Sequence, residues 1–278
     1  MSNTSFATNV KSRTVRIALL MAVLLCTGCA SLQGATTERI QGRQVEYAWA
    51  HQATETVVFE NGLGGTLDWW AKVFPELAKD TSVFAYNRPG YGRSELMPTP
   101  RDGAHVVDEL RALLQSKGIK PPYVLVGHSL GGLYMQLFAR RYPEEVGGLV
   151  LVDSTHPAQA KGQGSLENWP AWFQAVFKLT ASPVMKQELQ ALDATGDEVL
   201  ALPSFTGKPV IVLSALQPMK VSSPLADDSN AKRKDLVRLY PGAQQIWVDS
   251  GHGIPLEQPE AVVAAIREVL AHAMSPPR

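Results

Sequence analysis

This sequence predicts an α/β protein with a mostly parallel central sheet covered by helices on both faces. Three observations carry that prediction. Short, largely apolar segments recur at 56–60, 82–86, 123–126, 148–152 and 209–213, as strands buried on both faces require. Between them lie stretches with apolar residues at helical spacing, clearest at Val106, Val107, Leu110, Leu113 and Leu114. One junction reads Gly127-His128-Ser129-Leu130-Gly131, directly after an apolar run and before a helical stretch. That context turns a five-residue match into a sharp strand–turn–helix.

The elements follow in order. Residues 1–28 read as a signal peptide: Lys11, Arg13 and Arg16 are basic, and 17–25 is an apolar run too short to span a bilayer comfortably. Gly28-Cys29 resembles a bacterial lipoprotein signal, although Cys26 stands where a leucine is usual. The resemblance implies a lipidated Cys29, a membrane anchor and a place in the cell envelope. Ordinary secretion with cleavage near Ala30 is the alternative. Residues 29–38 read as a tether, and 39–278 as the folded domain. A strand is expected at 44–49, another at 56–60, a helix at 67–79, a strand at 82–86 and a helix at 102–117. After the glycine-rich turn come strands at 148–152, 209–213 and 245–248, and a closing helix at 257–273. Residues 155–205 lack a clear strand and contain Trp169, Trp172, Phe173 and Phe177. They read as a small helical cap over the C-terminal edge of the sheet, where ligands bind in open α/β sheets.

Composition narrows the function. The chain of 278 residues is 45% apolar with zero formal net charge, so nothing suggests a nucleic-acid partner. Losing residues 1–28 removes three positive charges and no negative ones, leaving the mature chain at −3. Both cysteines, Cys26 and Cys29, lie in or beside the leader, so the domain holds neither disulfide nor thiolate metal site.

The chemistry-bearing residues begin with Ser129. A tight turn lifts its hydroxyl clear of the sheet, beside the first amides of a helix, whose partial positive charge suits a developing oxyanion. A serine nucleophile needs a base and an acid that orients the base. Of six histidines, His252 lies between Gly251 and Gly253 after the last strand, in a loop free to carry the imidazole over the sheet edge. His156, near a strand end, is the weaker rival.

The blocks Asn61-Gly62-Leu63-Gly64-Gly65, Asn87-Arg88-Pro89-Gly90-Tyr91-Gly92-Arg93-Ser94, Gly127-His128-Ser129-Leu130-Gly131-Gly132, Val152-Asp153-Ser154 and Ser250-Gly251-His252-Gly253-Ile254-Pro255 resemble the α/β-hydrolase superfamily. The resemblance covers about 40–273 and implies that Leu63 and Leu130 supply oxyanion-hole amides. Asn61 replaces the usual histidine of its block, and Asn87 the usual aspartate. The family most often places the acid shortly after the strand at 209–214, where this chain has Gln217. Asp153, at the end of the strand before the cap, is the expected acid. Asp227 or Asp228, on a polar stretch read as a loop, is the alternative. Glu60 reads as a hydrogen-bonded strand-end residue.

The function expected is a serine hydrolase cleaving a small, apolar carboxylic ester without metal or organic cofactor. The superfamily also hosts carbon–carbon bond hydrolases, acyltransferases and cofactor-free peroxidases. A non-catalytic, lipid-anchored binding protein is the rival from another class. Haloalkane dehalogenases and epoxide hydrolases resemble the chain but attack with aspartate. Trp69, Trp70, Trp169, Trp172, Phe173 and Phe177 are candidates for an apolar pocket or for plain packing.

Overall fold

The structure, a computed structural model, describes residues 31–52, 55–216 and 223–273. The leader with Cys29, and Gln217, lie outside the described residues. By its contacts the chain divides after Ser31, and the fold belongs to Leu32–Arg278. Among the described residues no helix is long and apolar enough to cross a membrane.

The described residues form one sheet of eight strands: β1 Thr36–Ile40, β2 Arg43–Ala50, β3 Thr56–Glu60, β4 Ser82–Tyr86, β5 Tyr123–His128, β6 Val146–Val152, β7 Val210–Ala215 and β8 Gln244–Val248. Their spatial order is β1-β2-β4-β3-β5-β6-β7-β8. β1, β2 and β4 pair antiparallel. From β4 to β8 every pairing is parallel. Alternate residues of the central strands enter opposite cores. Leu149 and Leu151 of β6 pack on one face, Val150 and Val152 on the other. Helices α1 (Gly103–Ser116) and α2 (Leu130–Arg141) cover the first face. The second face is covered by α7 (Pro259–Ala273) and the turn at Leu67–Trp70. The cap carries α3 (Ala171–Thr180), α4 (Pro183–Gln190) and α5 (Leu192–Ala201), and α6 (Pro224–Asp235) follows β7.

Three local expectations are corrected. The tether does not run to residue 38, because β1 begins at Thr36. A two-residue turn at Gln41-Gly42, with φ of 51° and 80°, folds this polar edge strand back on β2 as hairpins favour. Its side chains are mostly exposed, so it has no apolar alternation to read. The expected helix at 67–79 is a 3₁₀ turn, Leu67–Trp70, and a single helical turn, Phe74–Leu77. The polar stretch holding Asp227 and Asp228 is not a loop but part of α6. Ser223 accepts a hydrogen bond from the Ala226 amide, and Pro224 opens the first turn, both standard helix starts. Asp227 near the N-terminus and Lys232, Arg233 and Lys234 near the C-terminus suit the helix dipole.

Topology selects where a site belongs. The chain passes from β3 to β4 on one side, then returns to place β5 on the other side of β3. Such a reversal opens a crevice at the strands' C-terminal ends. Glu60 pairs with Gly127, and His128 with Val152, so the segments leaving β3, β5 and β6 emerge side by side.

Candidate active site

Ser129 caps the N-terminus of α2 with φ 55° and ψ −124°, a sparsely populated conformation that persists only where surroundings enforce it. Here glycines enforce it. A Cβ on Gly127 would lie 2.6 Å from the Gly131 carbonyl oxygen and the Gly132 Cα, and one on Gly131 2.5 Å from the Glu60 and Asn61 carbonyl oxygens. Real Cβ atoms do not approach backbone that closely, so strand, turn and helix pack at this distance only with glycine at both positions. The Ser129 amide donates to the Val152 carbonyl at 3.1 Å, and its own carbonyl accepts from the Thr155 amide at 2.9 Å.

Asp153 leaves β6 with φ 38°, another forced turn. Its amide donates to Leu213 O at 2.8 Å. Its buried carboxylate accepts four hydrogen bonds. Oδ2 accepts from His252 Nδ1 at 2.6 Å and Arg233 Nη2 at 3.2 Å, and Oδ1 from Arg233 Nε at 2.8 Å and the Ala215 amide at 3.1 Å. Burial pushes this carboxyl up, but the bonds from His252 and Arg233 outweigh burial and hold it well below the usual carboxylate range.

The structure therefore brings Asp153 and His252 together. Asp228 instead pairs with Lys232 at 2.6 Å within α6, and Asp227 sits in the first turn of that helix. His156 is buried and tied down locally: Nδ1 accepts from the Ala158 amide at 3.0 Å, and Nε2 faces Asp235 at 3.3 Å. Ser129 Oγ makes no hydrogen bond to any described residue.

His128, the variable residue of the turn, is placed by its ring. It stacks on Trp69 with centroids 4.7 Å apart and lies 4.7 Å from the His252 ring. Its Nε2 donates to the His252 carbonyl at 2.8 Å, which fixes the tautomer, because a carbonyl only accepts. Burial first, then the neighbouring His252, push its pKa down to about 3. His128 is therefore neutral and acts as a strut under the His252 loop.

The loop after β3 closes the other side. A Cβ on Gly62 would lie 3.0 Å from Ser129 Cβ, so this backbone runs directly past the serine. Among the described residues no acceptor takes the Leu63 or Leu130 amide. Buried Arg88 pins the loop, donating to the carbonyls of Asn61 at 2.6 Å and Gly62 at 3.0 Å. It also pairs with Glu60 at 2.6 Å and with Glu188 of α4 at 2.9 Å. Both asparagine replacements have structural work. Asn61 Nδ2 donates to Tyr86 O, while Asn87 accepts from the Leu67 amide and donates to Glu46, an arrangement that aspartate cannot make.

The aromatic candidates separate. Trp70 is fully buried against Phe59, with ring centroids 4.5 Å apart, and belongs to the core. Trp169 and Phe177 line a hollow of about 490 Å³ between α3 and α4. Trp172 points outward, 53% exposed. Of the six, Trp69 is the one stacked on the His128 ring beside Ser129.

Sequence reasoning missed Arg233 and Glu188. Neither sits in a motif, and both reach their partners across 80 to 100 residues.

A family model described as the alpha/beta hydrolase fold matches residues 55–240, and the chain belongs to that family. YqjL of Bacillus subtilis, an uncharacterized protein, is 34% identical over 98 residues, 35% of this chain and 39% of the relative. The (lyso)-N-acylphosphatidylethanolamine lipase of Mus musculus is 31% identical over 125 residues, 43% of this chain and 36% of that one. The chain spans less than half the length of the curated relatives it matches. Among solved structures, a thermophilic esterase from Thermogutta terrifontis superposes with a TM-score of 0.58 at 21% identity, covering 87% of this chain and 99% of that one. The enol-lactonase from Burkholderia xenovorans LB400 gives 0.59 at 18%, covering 85% and 100%. At these identities the likeness speaks for the fold alone.

Proposed function

We propose that this protein is a serine hydrolase that cleaves a carboxylic ester through an acyl-enzyme. The observation that carries the proposal is the 2.6 Å contact between Asp153 Oδ2 and His252 Nδ1, beside a serine held at positive φ. Asp153 fixes the imidazole with Nδ1 protonated, which leaves Nε2 as the base. Ser129 Oγ attacks the ester carbonyl while His252 takes its proton, and the Leu63 and Leu130 amides hold the oxyanion. His252 then protonates the departing alkoxide oxygen, and the acyl group stays on Ser129. Water repeats the sequence and releases the acid. A Ser129 Oγ without a hydrogen bond to any described residue is compatible with this reading, because catalytic hydrogen bonds often tighten only with substrate in place.

An apolar ester suits the surroundings. Trp69 stacks on His128, and a Cβ on Gly64 would meet the Met185 methyl of α4 at 3.0 Å, so apolar side chains flank the loop that carries Leu63. The similar protein named as a (lyso)-N-acylphosphatidylethanolamine lipase points the same way. A fluorophosphonate probe provides the test. The expected result is a single adduct, located on the Ser129 peptide and absent in Ser129→Ala. An adduct that survives the substitution, or maps elsewhere, overturns the reading.

The leader supports a second proposal, a diacylated Cys29 holding the domain to a bacterial envelope membrane. Two chains anchor stably where one holds only marginally. Cys29→Ala is expected to release the domain from the membrane fraction and abolish incorporation of labelled fatty acid. Unchanged membrane recovery sinks the anchor.

A further inference from the structure

Arg233 engages the proposed triad acid alongside His252. Its guanidinium grips Asp153 with two prongs, Nε to Oδ1 at 2.8 Å and Nη2 to Oδ2 at 3.2 Å. Oδ2 is the same oxygen that accepts from His252 Nδ1. Arginine stays charged throughout the working range of a hydrolase, so a permanent cation and the base share one carboxylate oxygen. That holds the two nitrogens inside the range of roughly 6 Å over which like charges oppose each other's protonation. Helix α6, which carries Arg233, is held against the sheet edge by Gln245 Nε2 of β8, which donates to Arg233 O and to Ser214 Oγ at 3.0 Å each.

From this arrangement we propose that Arg233 is a positioning residue for the catalytic pair: it locks Asp153 as an oriented carboxylate and sets a permanent cation on the same oxygen that takes the His252 N–H, so that its charge is felt in the pH profile of the reaction. The inference rests on the serine-hydrolase reading. The sign follows from charge. An imidazolium beside Asp153 alone would meet one negative charge, whereas beside the Asp153–Arg233 pair it meets nearly none. Removing the cation therefore favours protonated His252, and the acid limb of the pH profile moves up.

The other groups facing this site leave the sign unchanged. His128 is neutral, with a pKa pushed down to about 3 by burial and by His252. Glu257 faces the His252 loop, accepting from Ser250 Oγ and the Gly251 amide at 2.9 Å each, and is untouched by substitution in α6. On α6 itself Lys232 is paired with Asp228, and Asp235 faces His156. Asn230 Oδ1, 3.3 Å from Arg233 Nη1, carries no charge.

The experiment compares Arg233→Lys with Arg233→Gln in the full chain. Both lose the two-pronged fork and only one keeps the charge, so a merely structural role affects both alike. The acid limb of kcat/KM for a p-nitrophenyl ester, and of fluorophosphonate labelling, is read between pH 4 and 9. The expected result is a limb about one pH unit higher in Arg233→Gln, the low end of what a neighbouring charge does, and near the wild-type position in Arg233→Lys. Arg233→Met replaces Arg233→Gln if the latter does not fold. Coincident limbs for the charged and neutral variants overturn the inference. Wild-type protein that fails to label at Ser129 overturns the hydrolase reading instead, so the two failures are distinguishable.

Discussion

His252→Ala is expected to lower kcat for ester hydrolysis by roughly 10⁶-fold, the scale of losing a base that works as one unit with its serine. KM and the melting temperature are expected to stay near wild type. The imidazole is 44% exposed and contributes little burial. The loop keeps its anchor, because His128 Nε2 bonds the residue 252 carbonyl, which alanine retains. Asp153→Asn is expected to lose less, about 10⁴-fold, as neutralised triad acids do, and part of that change reflects an unpaired Arg233. Steady-state kinetics on p-nitrophenyl esters, with thermal melts as control, read both effects. A His252→Ala loss under a hundredfold, or an equal loss in His156→Ala, removes His252 from the mechanism.

Arg88→Met is expected to be the most destabilising single change. Arg88, Glu60 and Glu188 are all buried, and the arginine alone balances two carboxylates. Removing one partner of such a cluster costs about 3–5 kcal/mol, because the remaining charges stay out of water unpaired. At about 2–4 °C per kcal/mol for a domain of this size, the melting point falls by of order 10 °C. The loss deepens with pH. Burial already raises the folded-state pKa of Glu60, with Arg88 opposing it, and losing Arg88 raises it further. The folded state then binds more protons than the unfolded one, so stability declines as pH rises through that range. Melts at pH 5 and pH 8 are expected to show the larger deficit at pH 8. A deficit of only a degree or two, or one larger at pH 5, contradicts this account. Arg88 also pins the Asn61 and Gly62 carbonyls, so surviving protein is expected to lose kcat if, as proposed, this loop presents the oxyanion amide.

Legibility in the sequence followed the physics of each element. Strands buried on both faces, such as β5 and β6, announce themselves because both faces must be apolar. β1 and α6 do not, because each is held by a turn, a cap or charge pairing rather than by an apolar stripe. The site divides in the same way. Ser129 is visible because its turn tolerates only glycine at 127 and 131, a purely local demand. Asn61 and Asn87 stand as departures in sequence but carry hydrogen bonds that only their folded neighbours explain.

From residue order alone came the fold class, the strand–turn–helix at Ser129 and the glycine-flanked His252 loop, since each rests on periodicity or on backbone geometry within a few residues. The sequence favoured Asp153 from its place at a strand end, and tertiary structure decided which carboxylate meets His252. Asp153, Asp227 and Asp228 are equal as residue types. The β6–β7 register and the turn at Asp153 aim one of them at the imidazole, while helix formation turns Asp228 toward Lys232. It alone also revealed Arg233 on the acid and Glu188 on Arg88. Such pairings depend on distances between segments far apart in the chain, which no local pattern encodes.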